Sequence, residues 1–443
     1  MRTPQIDMNV FKERRERLAK KMQEIKKGAA LIIAAHPELI RNNDVHYPYR
    51  QDSNLFYLTG FEEPNSVLVF RPGMTPEYTL FVQPKDVNLE TWTGFRYGPD
   101  LAKKYFNIDA TFNIEKLENE LPGLLTHVDR IYYSMFINSE FDKLMLKILE
   151  NHALARSRTN KGVIPVEDAK PLIGELRIFK SDYEVLQMRK AAQITAKAHV
   201  EVMKCTKPGI NERALQGVFL RSILEQGCAR EGYGAIVAGG ANATTLHYVY
   251  NDQNLKDGDL LLIDAGGECN YYSADITRTY PVNGKFNPTQ KRVYQKLLEL
   301  QKKIVSLVKP GQTREGLQKE TISGLTDILI DEKLLKGNKE ALIEAKEYFK
   351  FYPHGVSHWL GLDVHDAGLT EINGEPRQIQ PGVVLTIEPG IYIPADMAGV
   401  PEEYRGMGIR IEDDILVSET GCENLTISCP KEINELEQII GKQ

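Results

Sequence analysis

Three of the chain's nine histidines fall in one short segment, Pro353-His354-Gly355-Val356-Ser357-His358-Trp359-Leu360-Gly361-Leu362-Asp363-Val364-His365. Such crowding of imidazoles exceeds what core packing asks for. His354 and His358 stand four residues apart, the spacing of two zinc ligands on one helical face. Gly355, however, occupies the place of the catalytic glutamate of such a motif, and the surrounding glycines are poor for a helix. The acids that would join these histidines come from four β-rich segments. One ends in Asp264, the return over residues 271–280 carries Asp275, and a third ends in Glu388. The fourth, Gly408-Ile409-Arg410-Ile411-Glu412-Asp413-Asp414, puts Glu412 after an alternating apolar strand. Taken singly, each acid reads as a hairpin-turn or surface residue. Together they call for a metal, because an unpaired buried carboxylate must find a cation or lose its charge. One imidazole among carboxylates is an oxygen-rich donor set that suits Mn²⁺ or a similar divalent ion. Four carboxylates and one imidazole are too many for one ion with an open position. They suit two ions about 3.5–4 Å apart, with bridging carboxylates and a bridging hydroxide as nucleophile.

An internal repeat explains how the acids would meet. Lys207-Pro208-Gly209 is followed by Leu215-Gln216, and Lys309-Pro310-Gly311 by Leu317-Gln318, at identical spacing. The repeat continues into the strands, where Gly258-Asp259-Leu260-Leu261-Leu262-Ile263-Asp264 matches Gly382-Val383-Val384-Leu385-Thr386-Ile387-Glu388. Each copy reads as helix, turn, helix, then a strand ending in an acid. A pseudo-twofold relation between the copies brings Asp264 and Glu388 toward one centre. Ahead of the repeat, a stretch with Pro165, Asp168 and Pro171 precedes a helical pattern over residues 181–204, which places a domain boundary at 173. Residues 1–173 read as a smaller mixed α/β domain. It opens with a helix over residues 11–27, dense in Lys, Arg and Glu, with Phe11, Leu18, Met22 and Ile25 on one stripe, a surface helix. An apolar run at 29–35 follows, then strands at 66–70 and 78–82 around the turn Arg71-Pro72-Gly73. Residues 174–443 form the second domain of an α/β chain.

Composition narrows the function classes. With 443 residues, 42% hydrophobic and 26% charged, the chain is globular and long enough for two cores. Lys and Arg number 55 against 61 Asp and Glu, a net charge of -6, so no long-range field draws nucleic acid or anionic lipid. The 29–35 run is far short of the roughly 20 residues of a spanning helix, and a secretory signal would need an apolar stretch where residues 11–27 are charged. Cys205, Cys228, Cys269, Cys422 and Cys429 are odd in number and scattered, without a CxxC pair. Reduced thiols and a cytoplasmic location are the expectation.

Asp264, Asp275, His358, Glu388 and Glu412, in that order and setting, resemble the five metal ligands of the pita-bread metallopeptidases, the family of methionine aminopeptidase, prolidase and aminopeptidase P. The two-domain length, Tyr47-Pro48-Tyr49-Arg50-Gln51, Tyr57-Leu58-Thr59-Gly60-Phe61 and the 354–365 segment are most similar to the aminopeptidase P branch, and the resemblance covers nearly the whole chain. It implies a smaller amino-terminal α/β mixed-sheet domain followed by a pseudo-twofold pita-bread (α+β) catalytic domain. It implies two divalent ions, Mn²⁺ expected, bridged by Asp275 and Glu412, one held by Asp264 and the other by His358 and Glu388. Glu388 would also be the general base. His365, and His247 in Thr245-Leu246-His247-Tyr248, would contact the substrate and steady the scissile carbonyl and the developing oxyanion. His354 and Arg410 would support the ligands or face the substrate. The implied activity is hydrolysis of the first peptide bond of peptides with proline in second position, in a homo-oligomer, dimer or tetramer.

Prolidase, confined to Xaa-Pro dipeptides, is the alternative; the segments 355–359 and 47–51 speak for the aminopeptidase. Creatinase shares the fold without metals, and an interaction protein on this fold would likewise have lost them, yet all five ligand positions here hold competent side chains. Methionine aminopeptidase would lack the amino-terminal domain. Trp92-Thr93-Gly94-Phe95-Arg96 reads either as an exposed aromatic loop reaching a neighbouring subunit's cleft or as a loop with its Trp buried.

Overall fold

The computed structural model describes residues 6–156, 158 and 162–442. The chain divides into one unit up to Leu176 and a second from Arg177. The boundary expected at 173 falls inside the helix Ala169–Arg177.

In the first unit the apolar strand Ala29–Ala34 is buried at every residue, as a strand covered on both faces must be. It pairs in parallel with Arg130–Tyr133 and antiparallel with Val67–Phe70. Tyr78–Val82 and Ala110–Asn113 extend one side and Val166–Glu167 the other, giving a six-stranded mixed sheet among the described residues. Ile32, Val69, Phe81 and Ile131 of the sheet share a core with Leu121, Met145 and Ile148 of the covering helices. The first helix, Met8–Ile25, starts at Asp7, whose side chain accepts from the backbone N–H of Asn9. Phe11, Leu18 and Met22 are buried, but Ile25 is 51% exposed, so the apolar stripe ends a turn early. The helix also departs from a plain surface helix, because Arg14 and Arg15 are buried. They donate to the carbonyls of Tyr57 (3.1 Å) and Leu58 (2.9 Å) at the C-terminal end of the helix Ser53–Thr59. Cations there answer the unsatisfied last-turn carbonyls and the negative end of the helix dipole. Trp92, in the helix Val87–Thr93, is 86% exposed, which corrects the reading of it as buried and places it in a helix where a loop was expected.

The second unit is built on the repeat. The helix Asp182–Cys205 begins with a capping box of Ser181 and Glu184, and Pro288–Leu307 with one of Asn287 and Gln290. Each is followed by its Lys-Pro-Gly turn and a second helix, Glu212–Glu225 or Arg314–Asp331. The turns do the same work in both copies. Gly209 donates to Leu255 O (2.8 Å) and Gly311 to Ile379 O (2.9 Å), while Leu255 and Ile379 donate back to Ile210 and Gln312. Gly209 and Gly311 sit at φ +85° and +87°, a left-handed backbone that glycine adopts without a steric penalty. The repeat thus fastens each helix pair to the chain entering its acid-bearing strand.

Each strand then forms a hairpin whose ladder is interrupted where the acids emerge. Leu260–Asp264 pairs with Thr277–Pro281 and with Ile236–Gly239; beyond a gap, Gly267–Cys269 pairs with Tyr272–Ser273. Asp275 lies on the return side of that gap. In the second copy Val384–Ile387 pairs with Asp413–Val417, and Gly390–Ile393 with Met407–Arg410. Glu388 and Glu412 occupy the two sides of that gap. Gly266 and Gly390 hold the same place in the repeat, and neither has room for a Cβ: at Gly266 it would lie 1.7 Å from Ala274 O, at Gly390 2.4 Å from the Tyr392 hydroxyl. Among the described residues no helix is long and apolar enough to cross a membrane.

Reduced thiols are corrected for one pair. Cys228 and Cys269 form a disulfide with Cα atoms 4.3 Å apart across a sequence separation of 41, while Cys205, Cys422 and Cys429 are free. Spacing hid it, because the fold alone brings the segment after Glu212–Glu225 against the tip of the first hairpin, where Ala229 donates to Glu268 O (3.0 Å).

Two outcomes are expected. Gly266→Ala, which cannot relax against a backbone oxygen, lowers stability by about 2 kcal/mol or more in calorimetric unfolding and moves Asp264 from Asp275, so metal content by elemental analysis falls as well. Replacing Cys228 and Cys269 together by Ser costs about 2–4 kcal/mol in denaturant unfolding, the range for closing a loop of this length, and reductant on the parent protein reproduces the loss.

Candidate metal centre

Asp264, Asp275, His358, Glu388 and Glu412 converge from the two interrupted hairpins and from the 354–360 segment. That segment is not helical. It lies along the second acid strand, with Thr386 donating to His358 O (3.0 Å) and Glu388 to Val356 O (2.9 Å). The failure of the zinc-helix reading is therefore visible in the backbone. His358 Nδ1 donates to Trp359 O (3.1 Å), which orients the ring and directs Nε2 at the acids. From Nε2 it is 3.4 Å to Asp275 Oδ2, 3.7 Å to Glu388 Oε1 and 4.0 Å to Glu412 Oε1. The last two exceed hydrogen-bond length. Asp275, His358 and Glu412 each offer a ligand atom within 4.8 Å of the others, the dimensions of a cation's coordination shell.

A hydrogen-bond chain holds the acids in place. Thr277 Oγ1 donates to Glu412 Oε2 (2.6 Å) and accepts from Arg410 Nε (3.1 Å). Arg410 Nη2 donates to Asp264 Oδ2 (2.6 Å), and its Nη1 to the Tyr392 hydroxyl (3.0 Å). Tyr392 donates in turn to His354 Nε2 (2.8 Å), whose Nδ1 donates to Gly355 O (2.8 Å). His354 is therefore a support for this chain, with Nδ1 3.6 Å from Glu388 Oε2. Burial and Arg410 push its imidazole down to about 4, so it stays neutral.

Charge is unbalanced at the centre. Burial, with the charges of Asp275, Glu388 and Asp264 added, raises the Glu412 carboxyl well above the usual range. Burial and Asp264 raise Asp275. Glu388 is pushed up to about 7 by burial and by Asp275 and Asp264, against the pull of His358 and Arg410. Burial acts the same way on Asp264, but Arg410 more than offsets it and holds that carboxyl low. His358 rises to about 9, because Asp275 and Glu388 outweigh its burial. The Tyr233 hydroxyl shows the deficit directly. It lies 2.6 Å from Asp264 Oδ1 and 2.5 Å from Asp275 Oδ1, and its single proton serves only one of them. Additional positive charge between these carboxylates resolves both observations, so the residues fit divalent cations.

The acids line a cavity of about 650 Å³ whose other walls include Leu246, His247, Val249, Val364, His365 and Arg314. His247 and His365 are exposed to it. The His365 ring packs edge-on to His358 at 4.4 Å, and burial with the neighbouring His358 and His247 lowers its pKa. All nine residues singled out in the sequence are thus in one place. Tyr233, Thr277, Tyr392 and Arg314 were not singled out. Tyr233 carried one local signal, its position between Gly232 and Gly234, the first of which packs against Ser273 beside the acid hairpin; the other three are read only from the folded chain.

Comparison with known proteins agrees with this geometry. Residues 186–419 match Metallopeptidase family M24, and residues 11–132 match the domain described as Aminopeptidase P, N-terminal domain. The chain is 40% identical over 432 residues to a Xaa-Pro aminopeptidase of Haemophilus influenzae, covering 97% of this chain and 96% of that protein. It is 39% identical to a Xaa-Pro aminopeptidase of Escherichia coli, covering 98% of each. The solved structure of Pseudomonas aeruginosa aminopeptidase PepP superposes with a TM-score of 0.94 at 39% identity, over 99% of this chain and 98% of that one. A zinc-substituted aminopeptidase P of Escherichia coli in complex with product gives 0.92 at 39% identity over 98% of both. Matched over nearly its whole length in sequence and in fold, the chain belongs to metallopeptidase family M24 as a metal-dependent aminopeptidase of the aminopeptidase P type.

Proposed function

We propose that this metallopeptidase releases the first residue from peptides whose second residue is proline, and that it acts on chains longer than two residues. The observation that carries the reading is the convergence of four carboxylates and one oriented imidazole on the floor of a cavity flanked by His247 and His365. The names of the relatives supply the proline. Asp275 and Glu412 would bridge two divalent ions, Asp264 would hold one of them, and His358 and Glu388 the other. Oxygen donors outnumber the single imidazole, which favours Mn²⁺. When bound, such ions supply Lewis acidity, polarising the scissile carbonyl and making water acidic enough to attack at neutral pH.

The chain's own groups do the rest. Glu388 takes the proton of the attacking water and passes it to the leaving prolyl nitrogen. That nitrogen belongs to a tertiary amide with no N–H, so a site that relied on an N–H contact would be handicapped, and proton delivery matters more. His247 and His365 donate to the oxyanion as charge develops on it. Arg410 keeps Asp264 in position directly and Glu412 through Thr277, while Tyr392 and His354 extend that hydrogen-bond chain. The acidic centre also attracts the substrate's free α-amino group, which confines cleavage to the first bond. Self-association as a dimer or tetramer belongs to the same proposal. So does a cytoplasmic location, against which the Cys228–Cys269 pair weighs, since a reducing compartment opens disulfides.

Chelation is expected to abolish turnover and Mn²⁺ to restore it; full activity in verified metal-free protein would rule out the dinuclear reading. Glu412→Ala loses metal as well as rate. His365→Ala keeps its metal while kcat falls about 100-fold, the scale for one lost oxyanion donor. Elemental analysis separates the two, and an equal loss of metal in both contradicts the division of roles. For specificity, Xaa-Pro-Xaa tripeptides are expected to be cut far faster than matched Xaa-Ala-Xaa. Equal rates would remove the prolyl assignment, and cleavage of Xaa-Pro dipeptides alone would make the protein a prolidase.

A further inference from the structure

We propose that Arg314 is a specificity residue that receives a carboxylate of the substrate inside the active-site cavity. The inference rests on the peptidase reading above. Arg314 is the first residue of the helix Arg314–Asp331, directly after the cap Thr313. A cation in the first turn opposes the helix dipole, so local helix stability does not account for an arginine here. Its side chain turns into the cavity instead.

The guanidinium is held, but it is not neutralised. Nη2 donates to Ser357 O, and the group lies over the Trp359 ring at 5.0 Å. Nε is buried without a hydrogen-bond partner. Among the described residues no carboxylate lies within ion-pair distance of it. Three buried arginines of this unit differ: Arg177 pairs with Asp363 and Asp366, Arg278 with Asp413, and Arg410 with Asp264. Burial lowers the Arg314 pKa, and the nearby charge of Glu388 only partly opposes this. A guanidinium fixed on an aromatic face, partly desolvated and lacking an anion, is poised to bind one.

That anion has to arrive with the substrate. The carboxylates at the cavity floor already face His358, Arg410 and the cations the site is built for. A peptide lying with its α-amino group toward those acids has two kinds of negative group left, its C-terminal carboxylate and any acidic side chain. Either one matches the planar fork of the guanidinium. The enzyme should therefore favour anionic peptides, through binding and not through the chemical step.

The test compares kcat and KM for Xaa-Pro-Gly as free acid and as amide, and for Xaa-Pro-Glu-amide against Xaa-Pro-Gln-amide, on the metal-loaded enzyme and on Arg314→Met. Each comparison is a ratio within one protein preparation, so any loss of folded enzyme cancels. We expect the parent enzyme to favour the carboxylate member of at least one pair by about tenfold in KM, the scale of one charge-assisted hydrogen bond. In Arg314→Met that ratio falls toward one. Whichever pair shows the preference identifies the source, the chain terminus or a side chain. No preference in the parent, or the same preference in Arg314→Met, overturns the proposal. Should neither protein cleave any of these peptides, the peptidase reading fails on its own account. Calorimetric binding of a prolyl dipeptide as acid and as amide then decides the role of Arg314 without turnover.

Discussion

Arg278 and Asp413 have no solvent exposure, stand one on the return strand of each half of the second unit, and meet at 2.7 Å. That contact joins the two hairpins that carry the acids. Arg278 also donates to Glu412 O (2.6 Å) and Thr277 O (2.9 Å), so it grips the backbone of two residues that shape the site. Asp413 accepts in addition from Gln301, Thr426 and Lys431, which ties the hairpins to the helix Pro288–Leu307 and to the chain's last segment. Burial would raise its carboxyl, but Arg278 and Lys431 hold it far below the usual range, so the pair stays charged. A buried ion pair with this many hydrogen bonds adds less to net stability than to uniqueness: removing one partner would strand the other charge at a cost of about 3–5 kcal/mol. The two hairpins therefore have one way to fit together, and the acids of both are aligned by it.

Alignment creates the opposite problem at the next residues along. The centre gathers more negative charge than Arg410 and His358 balance, and the displaced carboxyl groups Glu412, Asp275 and Glu388 record the imbalance. Charge is thus satisfied at Arg278 and Asp413 and left unbalanced at the centre beside them. Divalent cations supply what is missing, so metal binding and the ordering of the two hairpins reinforce one another.

The repeat, the acids and the histidine-rich segment were legible because each leaves a local mark: Lys-Pro-Gly at matched spacing, acids at strand ends, glycines around His354 and His358. The mixed α/β character of the first unit was legible in the β-rich runs that became Val67–Phe70 and Tyr78–Val82. What escaped depends on long-range contact. Arg14 and Arg15 looked like surface charge, since nothing in their own helix announces the carbonyls of Tyr57 and Leu58. Cys228 and Cys269 looked unrelated because only the packed hairpin brings them together. Tyr233, Thr277 and Tyr392 act through single hydroxyl groups, and a hydroxyl has no periodicity to betray it.

The pairing also shows why the duplicated frame could not keep duplicated residues. Ile263 pairs with Arg278 and Ile387 with Asp413, and Ile263 and Ile387 hold the same place in the repeat. Arg278 and Asp413 are therefore counterparts, as are Thr277 and Glu412, and each counterpart touches the other: Arg278 binds Asp413, and Thr277 donates to Glu412. Residues beside a pseudo-twofold axis meet their own equivalents. Identical residues there would set Asp against Asp or Arg against Arg where neither is exposed to solvent. Opposite charges in the two copies turn that repulsion into the contact that locks the hairpins. By the same count Asp275 and Arg410 are counterparts that have diverged, one a ligand candidate and the other the cation that holds the Asp264 carboxyl low. Symmetry delivers Asp264 and Glu388 to the centre, and departure from symmetry at the axis is what allows them to stay there.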